Sequence, residues 1–96
     1  MFRLVPALLA CVAIQAHAQD RPQQLASACA ICHGTDGRAV TPSVVSLAGL
    51  PREHIASQMR AFRDGARAAT VMHQIAKGYT DEQIDALAAY FAAQKR

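Results

Sequence analysis

An all-α domain of small size is the architecture this sequence predicts, on three observations. Apolar residues recur at helical spacing in two stretches, Ile55, Met59, Phe62 and Ile84, Leu87, Ala88, Phe91, while strand-type alternation is absent. Early in the chain stands Cys29-Ala30-Ile31-Cys32-His33, and a Cys-x-x-Cys-His run is the attachment signature of c-type haem. The chain has only 96 residues, and a domain this short buries too little surface to be comfortable without a staple. The three together predict helices wrapped around one covalent haem c. The apo-chain is then expected to be largely unfolded.

The spacing of the motif has a geometric reason. Three residues apart on a helical turn, the sulfurs of Cys29 and Cys32 face one way and reach two neighbouring vinyl groups of the porphyrin. His33 then falls beneath the ring centre, where its imidazole becomes the proximal iron ligand. Iron held this way cycles between ferrous and ferric without leaving, which points to an electron carrier. A structural zinc site needs two more ligands, and no second cysteine pair exists. A thioredoxin-like dithiol needs a βαβ setting that this pattern does not offer.

Residues 1–18 read as a cleaved signal peptide. Met1-Phe2-Arg3 is its positive start, Leu4 to Ile14 its apolar run, and Ala16-His17-Ala18 its cleavage site. Residues 19–96 then form one domain, and the periplasm is the expected location. Leu8-Leu9-Ala10-Cys11 loosely resembles a lipoprotein box, but the apolar run continues past Cys11 and a conventional site follows. The formal net charge of +3, part of it on Arg3, together with the lack of an aromatic–basic platform, excludes a nucleic-acid binder.

The elements follow in order. Pro22 suits a first helical position, with Asp20 or Arg21 as cap, and a helix is expected from Pro22 to Cys32. Leu25 and Ala28 share its inner face with the cysteines. Gly34-Thr35-Asp36-Gly37 breaks the helix, and the chain stays a loop through Leu50. Val44, Val45 and Leu47 are expected to wall one haem face. A proximal histidine usually donates its free ring N–H to a backbone carbonyl. That acceptor is expected within Pro42 to Val45, with Pro42 the first choice.

Pro51 opens a second helix that runs to Asp64 and stops at Gly65. Met59 belongs to its core stripe. Arg52, Arg60, Arg63 and Arg67 fall on the neighbouring arc, a basic strip suited to steering an acidic partner or pairing with a haem propionate, although such stripes are usually solvated faces. The distal ligand is to be chosen from Met59, Met72, His54 and His73. Met72 is favoured, from a polar-small loop ahead of a short helical segment, His73 to Lys77, and a thioether there favours ferrous iron. His73 faces away if Met72 faces in. Thr80 and Gln83 form a capping box for the last helix, Tyr79 staples onto Ile84, and Asp81 and Glu82 suit the helix dipole. Tyr90 and Phe91 supply the bulk that crosses the first helix.

With CAICHG early, Met72 late and helices at both ends, the chain resembles a class I cytochrome c over residues 19–96. CHGTDG, the Pro42 to SLAG loop and VMHQIAKGYTDEQIDALAAYF further resemble the cytochrome subunit of flavocytochrome c sulfide dehydrogenase and its single-haem relatives. Small diheme-type cytochrome domains share much of this pattern. The resemblance implies thioethers at Cys29 and Cys32, His33 as proximal ligand and Met72 as distal ligand. It implies a flavoprotein (FAD) subunit that oxidises sulfide and donates electrons singly, a soluble or membrane electron acceptor, and no substrate chemistry in this chain. Related loops often carry a second proline where Val45 stands. Two other readings are a free-standing shuttle and a gas-binding or sensing haem domain, which needs a labile distal ligand.

Overall fold

The computed structural model describes residues 21–96. The expected signal peptide, Cys11 and Asp20 lie outside the described residues. Among the described residues the helices in order are α1 (Pro22–Ser27), α2 (Ala30–His33), α3 (Arg52–Asp64), α4 (Met72–Ala76) and α5 (Asp81–Ala92), with a 3-10 turn at Thr35–Gly37. No strand occurs among the described residues. The all-α expectation holds.

The helix expected from Pro22 to Cys32 is two helices. Its start is as read, with Pro22 in the first turn after an extended Arg21. At Cys29 the ladder tightens, because Cys29 N donates to Ala26 O at 3.0 Å, three residues back. Ala28 and Cys29 keep right-handed helical backbone angles, so α2 resumes without a change of handedness. It ends at His33, where Gly34 turns the chain away.

α3 and α5 are the long elements and pack on each other, α1 crosses α5, and α4 packs on α3. α3 buries Ile55, Ala56 and Met59, and Gly65 in the left-handed region closes it. Pro51 is its cap rather than its first residue. α5 buries Ile84, Leu87, Ala88 and Phe91, the face its periodicity marks. Its capping box is complete: Gln83 N donates to Thr80 Oγ1 at 3.2 Å, and Thr80 N donates to Gln83 Oε1 at 3.0 Å. Tyr79 packs against the core without being fully buried.

The core is thin. Among the described residues five of its buried members are alanines (Ala26, Ala48, Ala56, Ala76 and Ala88), and the large side chains buried most completely are Ile84, Leu87 and Phe91. Burying such a side chain contributes about 1.5–3 kcal/mol. Ile55, Met59, Leu87 and Phe91 belong to this core and also line an interior cavity.

The basic strip is corrected by the structure. Arg60 donates to Asp85 Oδ1 at 2.7 Å and to Asp81 Oδ1 at 3.4 Å, and Arg63 reaches Asp81 at 2.8 Å. Arg52 pairs with Glu53 at 3.1 Å. Asp81, which suits the dipole of α5, and Asp85 face α3, so Arg60 and Arg63 tie the two helices together. Arg63 and Arg60 hold the Asp81 carboxyl below its ordinary value. Such exposed pairs add little stability each.

Candidate haem site

Ala28 and Cys29, α2, the 38–51 loop, α3, the 65–71 turn, α4 and α5 line a cavity of about 450 Å³. Cys29, Cys32 and His33 lie on one side of it, and Val44, Val45 and Leu47 continue the same wall. α3 contributes Ile55, Met59 and Phe62, while Leu87 and Phe91 enter from α5. Met72, at the start of α4, lines the same cavity. Cys29, Cys32, His33 and Met72 are thus brought to one space from two separate segments, α2 with its cap and the start of α4.

His33 Nδ1 lies 2.7 Å from Val45 O. A carbonyl oxygen only accepts, so Nδ1 carries the proton and Nε2 keeps its lone pair for a metal. The acceptor falls within the expected Pro42 to Val45 window, but it is Val45 and not Pro42. The loop's register decides this. Leu47 N and Ala48 N both donate to Gly37 O, at 2.7 and 3.2 Å, and Ala39 N donates to Ser46 Oγ at 3.0 Å. These bonds set Val45 beside the imidazole, while Pro42 stands exposed on the outer bend.

Both cysteines are free thiols. Cys29 is the more enclosed, and burial first, then the neighbouring Cys32, pushes its thiol pKa up. A protonated, unpaired Cys29 beside an exposed Cys32 leaves both sulfurs available for thioether formation. Met59 serves in the core stripe and also faces the cavity. His73 is absent from the cavity wall; its Nδ1 is buried without a hydrogen-bond partner among the described residues. Met72 is the first residue of α4 rather than part of a preceding loop.

Of the polar wall residues, sequence reading marks His54 only as a distal-ligand candidate and Arg67 only as part of the basic strip, and gives Gln58 and Thr70 no role. His54 and Gln58 line the cavity, as do Arg67 and Thr70. The signal for the first two is their spacing of four, one place ahead of Ile55 and Met59 on the inner face of α3. An apolar slot with two free thiols, an imidazole fixed by its far nitrogen and a thioether fits a covalently held haem.

Comparison with known proteins settles the family. The family model described as cytochrome c oxidase, cbb3-type, subunit III matches residues 16–91. The chain belongs to the class I cytochrome c family. It is 39% identical over 79 residues to the cytochrome subunit of sulfide dehydrogenase of Chlorobaculum tepidum, covering 82% of this chain and 71% of that protein. It is also 39% identical over 70 residues to cytochrome c-554(548) of Halomonas halodenitrificans, covering 70% of this chain and 84% of the relative. The solved structure of Acidithiobacillus ferrooxidans cytochrome c4 superposes with a TM-score of 0.71 at 31% identity, over 85% of this chain. The chain spans about half of that protein (52%). Membership in a cytochrome c family implies covalently bound haem c and electron transfer rather than substrate turnover.

Proposed function

We propose that this cytochrome is a periplasmic, single-haem electron carrier, with thioethers at Cys29 and Cys32 and axial ligands His33 and Met72, serving as the haem subunit of a flavoprotein sulfide dehydrogenase. The observation that carries the reading is the one cavity shared by the motif and Met72, with His33 held by Val45 O. Bound haem supplies a one-electron ferrous–ferric couple, and histidine–methionine ligation favours the ferrous side. The protein's part is positional. Val45 O fixes the orientation and tautomer of the His33 ring. The valine, leucine and phenylalanine walls exclude water from the iron's surroundings. With both axial positions supplied by the chain, no coordination site is left open, which weighs against the gas-binding reading.

The sequence carries a single Cys-x-x-Cys-His motif, which supports one haem. The segment 1–18 supports export to the periplasm. Ile31, between the two cysteines, is 87% exposed, and Val45 and Val71 on the cavity wall are 63% and 50% exposed. This apolar rim suits docking of a redox partner. The likeness to the sulfide dehydrogenase subunit favours an FAD-bearing donor, with a soluble or membrane acceptor downstream. The near-complete span of the Halomonas cytochrome favours the second reading, a free-standing shuttle.

Gentle purification from the native host followed by an absorption spectrum tests the proposal. Flavin bands in fixed ratio with haem that bleach on adding sulfide are the expected result. Haem alone on a particle of single-domain size sinks the subunit reading and leaves the shuttle.

A further inference from the structure

A second, smaller cavity of about 150 Å³ is lined by Arg38, Ser46, Ala48, Leu50 and Arg96, and Leu50 lines the haem cavity as well. One of its guanidinium groups comes from the 38–51 loop and the other from beyond the end of α5. Among the described residues no aspartate or glutamate lines it. Its volume equals the share of about five waters, which suits a small ion and not a peptide or nucleotide.

Both arginines are positioned by oxygen atoms that leave part of each fork unused. Arg38 donates through Nη1 to Lys95 O at 3.1 Å and through Nη2 to Asp36 Oδ2 at 3.3 Å. Asp36 is shared, because its Oδ1 accepts from the Tyr90 hydroxyl. The Arg96 stem occupies the space that a Cβ at Gly49 would need, and its Nη2 reaches Gly49 O at 3.5 Å, the limit of a hydrogen bond. A guanidinium carries five N–H donors, so further donors remain on both groups. Ser46 Oγ accepts from Ala39 N at 3.0 Å, and its own O–H is left to donate.

Two cations on one small cavity repel each other, and the apolar floor of Ala48 and Leu50 reduces the screening between them. A doubly charged tetrahedral anion removes that repulsion, and its oxygens match forked donors in two-point contact. We infer that Arg38, Arg96 and Ser46 form a site for a small free oxoanion of the phosphate or sulfate type, which ties the 38–51 loop to the end of α5. Ser46 follows Val45, whose carbonyl holds His33, and precedes Leu47. An ion seated on Ser46 therefore stiffens this loop and makes the bonds from Leu47 N and Ala48 N to Gly37 O open less often.

Phosphorus NMR line widths of inorganic phosphate, titrated with reduced holo-protein at an ionic strength fixed by chloride, test this. Wild type is expected to give saturable broadening that sulfate reverses. R96Q weakens binding roughly tenfold, the loss of one hydrogen bond to a charged group. R38K, which keeps the charge without the fork, weakens it as well. R52Q, whose arginine is engaged by Glu53 and lines neither cavity, matches wild type. Amide exchange at Leu47 and Ala48 slows in phosphate relative to chloride in wild type and not in R96Q. No saturable broadening, or equal titrations of wild type and R96Q, overturns the proposal. Where R96Q yields too little protein, an R38K titration superimposable on wild type overturns it equally. Flotation with phosphatidylglycerol vesicles that requires Arg96, without any effect of inorganic phosphate, overturns the free ion in favour of a lipid headgroup.

Discussion

Gly37 is the position at which a single methyl group tests both the packing and the geometry of the proximal side. It is buried, its φ is +80°, and a Cβ built there lies 2.8 Å from Phe91 Cδ1 and 3.0 Å from Ala48 N and Leu47 Cβ. Two costs add in G37A. The left-handed backbone disfavours a Cβ by about 1–2 kcal/mol. Overpacking against a fully formed wall costs about 1–3 kcal/mol, because Ala48 N is backbone and Phe91 is locked in the core. About 3 kcal/mol is expected in all, a large part of the ~4–11 kcal/mol that a domain of this length has. G65A is the matched control. Gly65 has φ +78° but nothing within 4 Å of its Cβ, so only the backbone cost of ~1–2 kcal/mol remains.

The assay is equilibrium unfolding in guanidinium of the two holo-variants beside wild type, at constant m-value. G37A should lose clearly more stability than G65A. Equal losses would refute the steric part of the argument and mean that Phe91 and the loop can shift freely. Because Gly37 O also accepts from Leu47 N and Ala48 N, any shift in G37A moves Val45 relative to His33. A change in reduction potential should therefore accompany G37A and not G65A.

M72A is expected to lower the potential and open the iron to carbon monoxide; an unchanged potential with no carbon monoxide binding removes Met72 as the ligand. Y90F should cost about 1.5 kcal/mol in holo-protein unfolding, since the Tyr90 hydroxyl donates to Asp36 Oδ1 at 2.5 Å. That bond, with burial second, pushes the phenol pKa up, so its stabilisation is present below the ordinary value of 10.0 and is lost as pH rises through the folded value. Melting temperatures of Y90F should accordingly fall less steeply than wild type on the alkaline side. Asp81 is the reverse case: Arg63 and Arg60 lower its pKa, so its contribution is present above 3.8 and is lost as pH falls through the folded value. D81N should lower the melting temperature slightly at neutral pH, flatten the acid limb, and converge with wild type at low pH.

Local signals made α5 legible. Thr80, Gln83 and the apolar positions of the last helix lie within one stretch, and capping and periodicity need no information from elsewhere. The motif and the stripe of α3 are local in the same sense. The acceptor of the His33 ring was not, because Val45 reaches it only through bonds from Leu47 and Ala48 back to Gly37. Composition made Pro42 attractive; register chose Val45. The arginine strip misled for a related reason. Arg60 and Arg63 look free along their own helix, and their partners Asp81 and Asp85 belong to a helix some twenty residues later. The break at Cys29 is a one-residue change of hydrogen-bond partner, which periodicity cannot resolve.

The segment just after the motif links these findings. From His33 to Ala48 the chain makes the wall beside the motif, and three sets of contacts hold it, two within the segment and one that reaches α5. His33 is held by Val45, Gly37 O holds Leu47 and Ala48, and Asp36, at φ +54°, accepts from both Tyr90 and Arg38. Arg38 in turn donates to Lys95 O at 3.1 Å, beyond the end of α5. The wall is therefore fastened to α5 rather than to the thin alanine core. In the proposed haem attachment, Cys29 and Cys32 would fix the chain just ahead of this segment, at the cavity they line. A small chain gains rigidity around the iron in this way because its strongest constraints converge on one segment, and the cofactor supplies the bulk that the side chains lack.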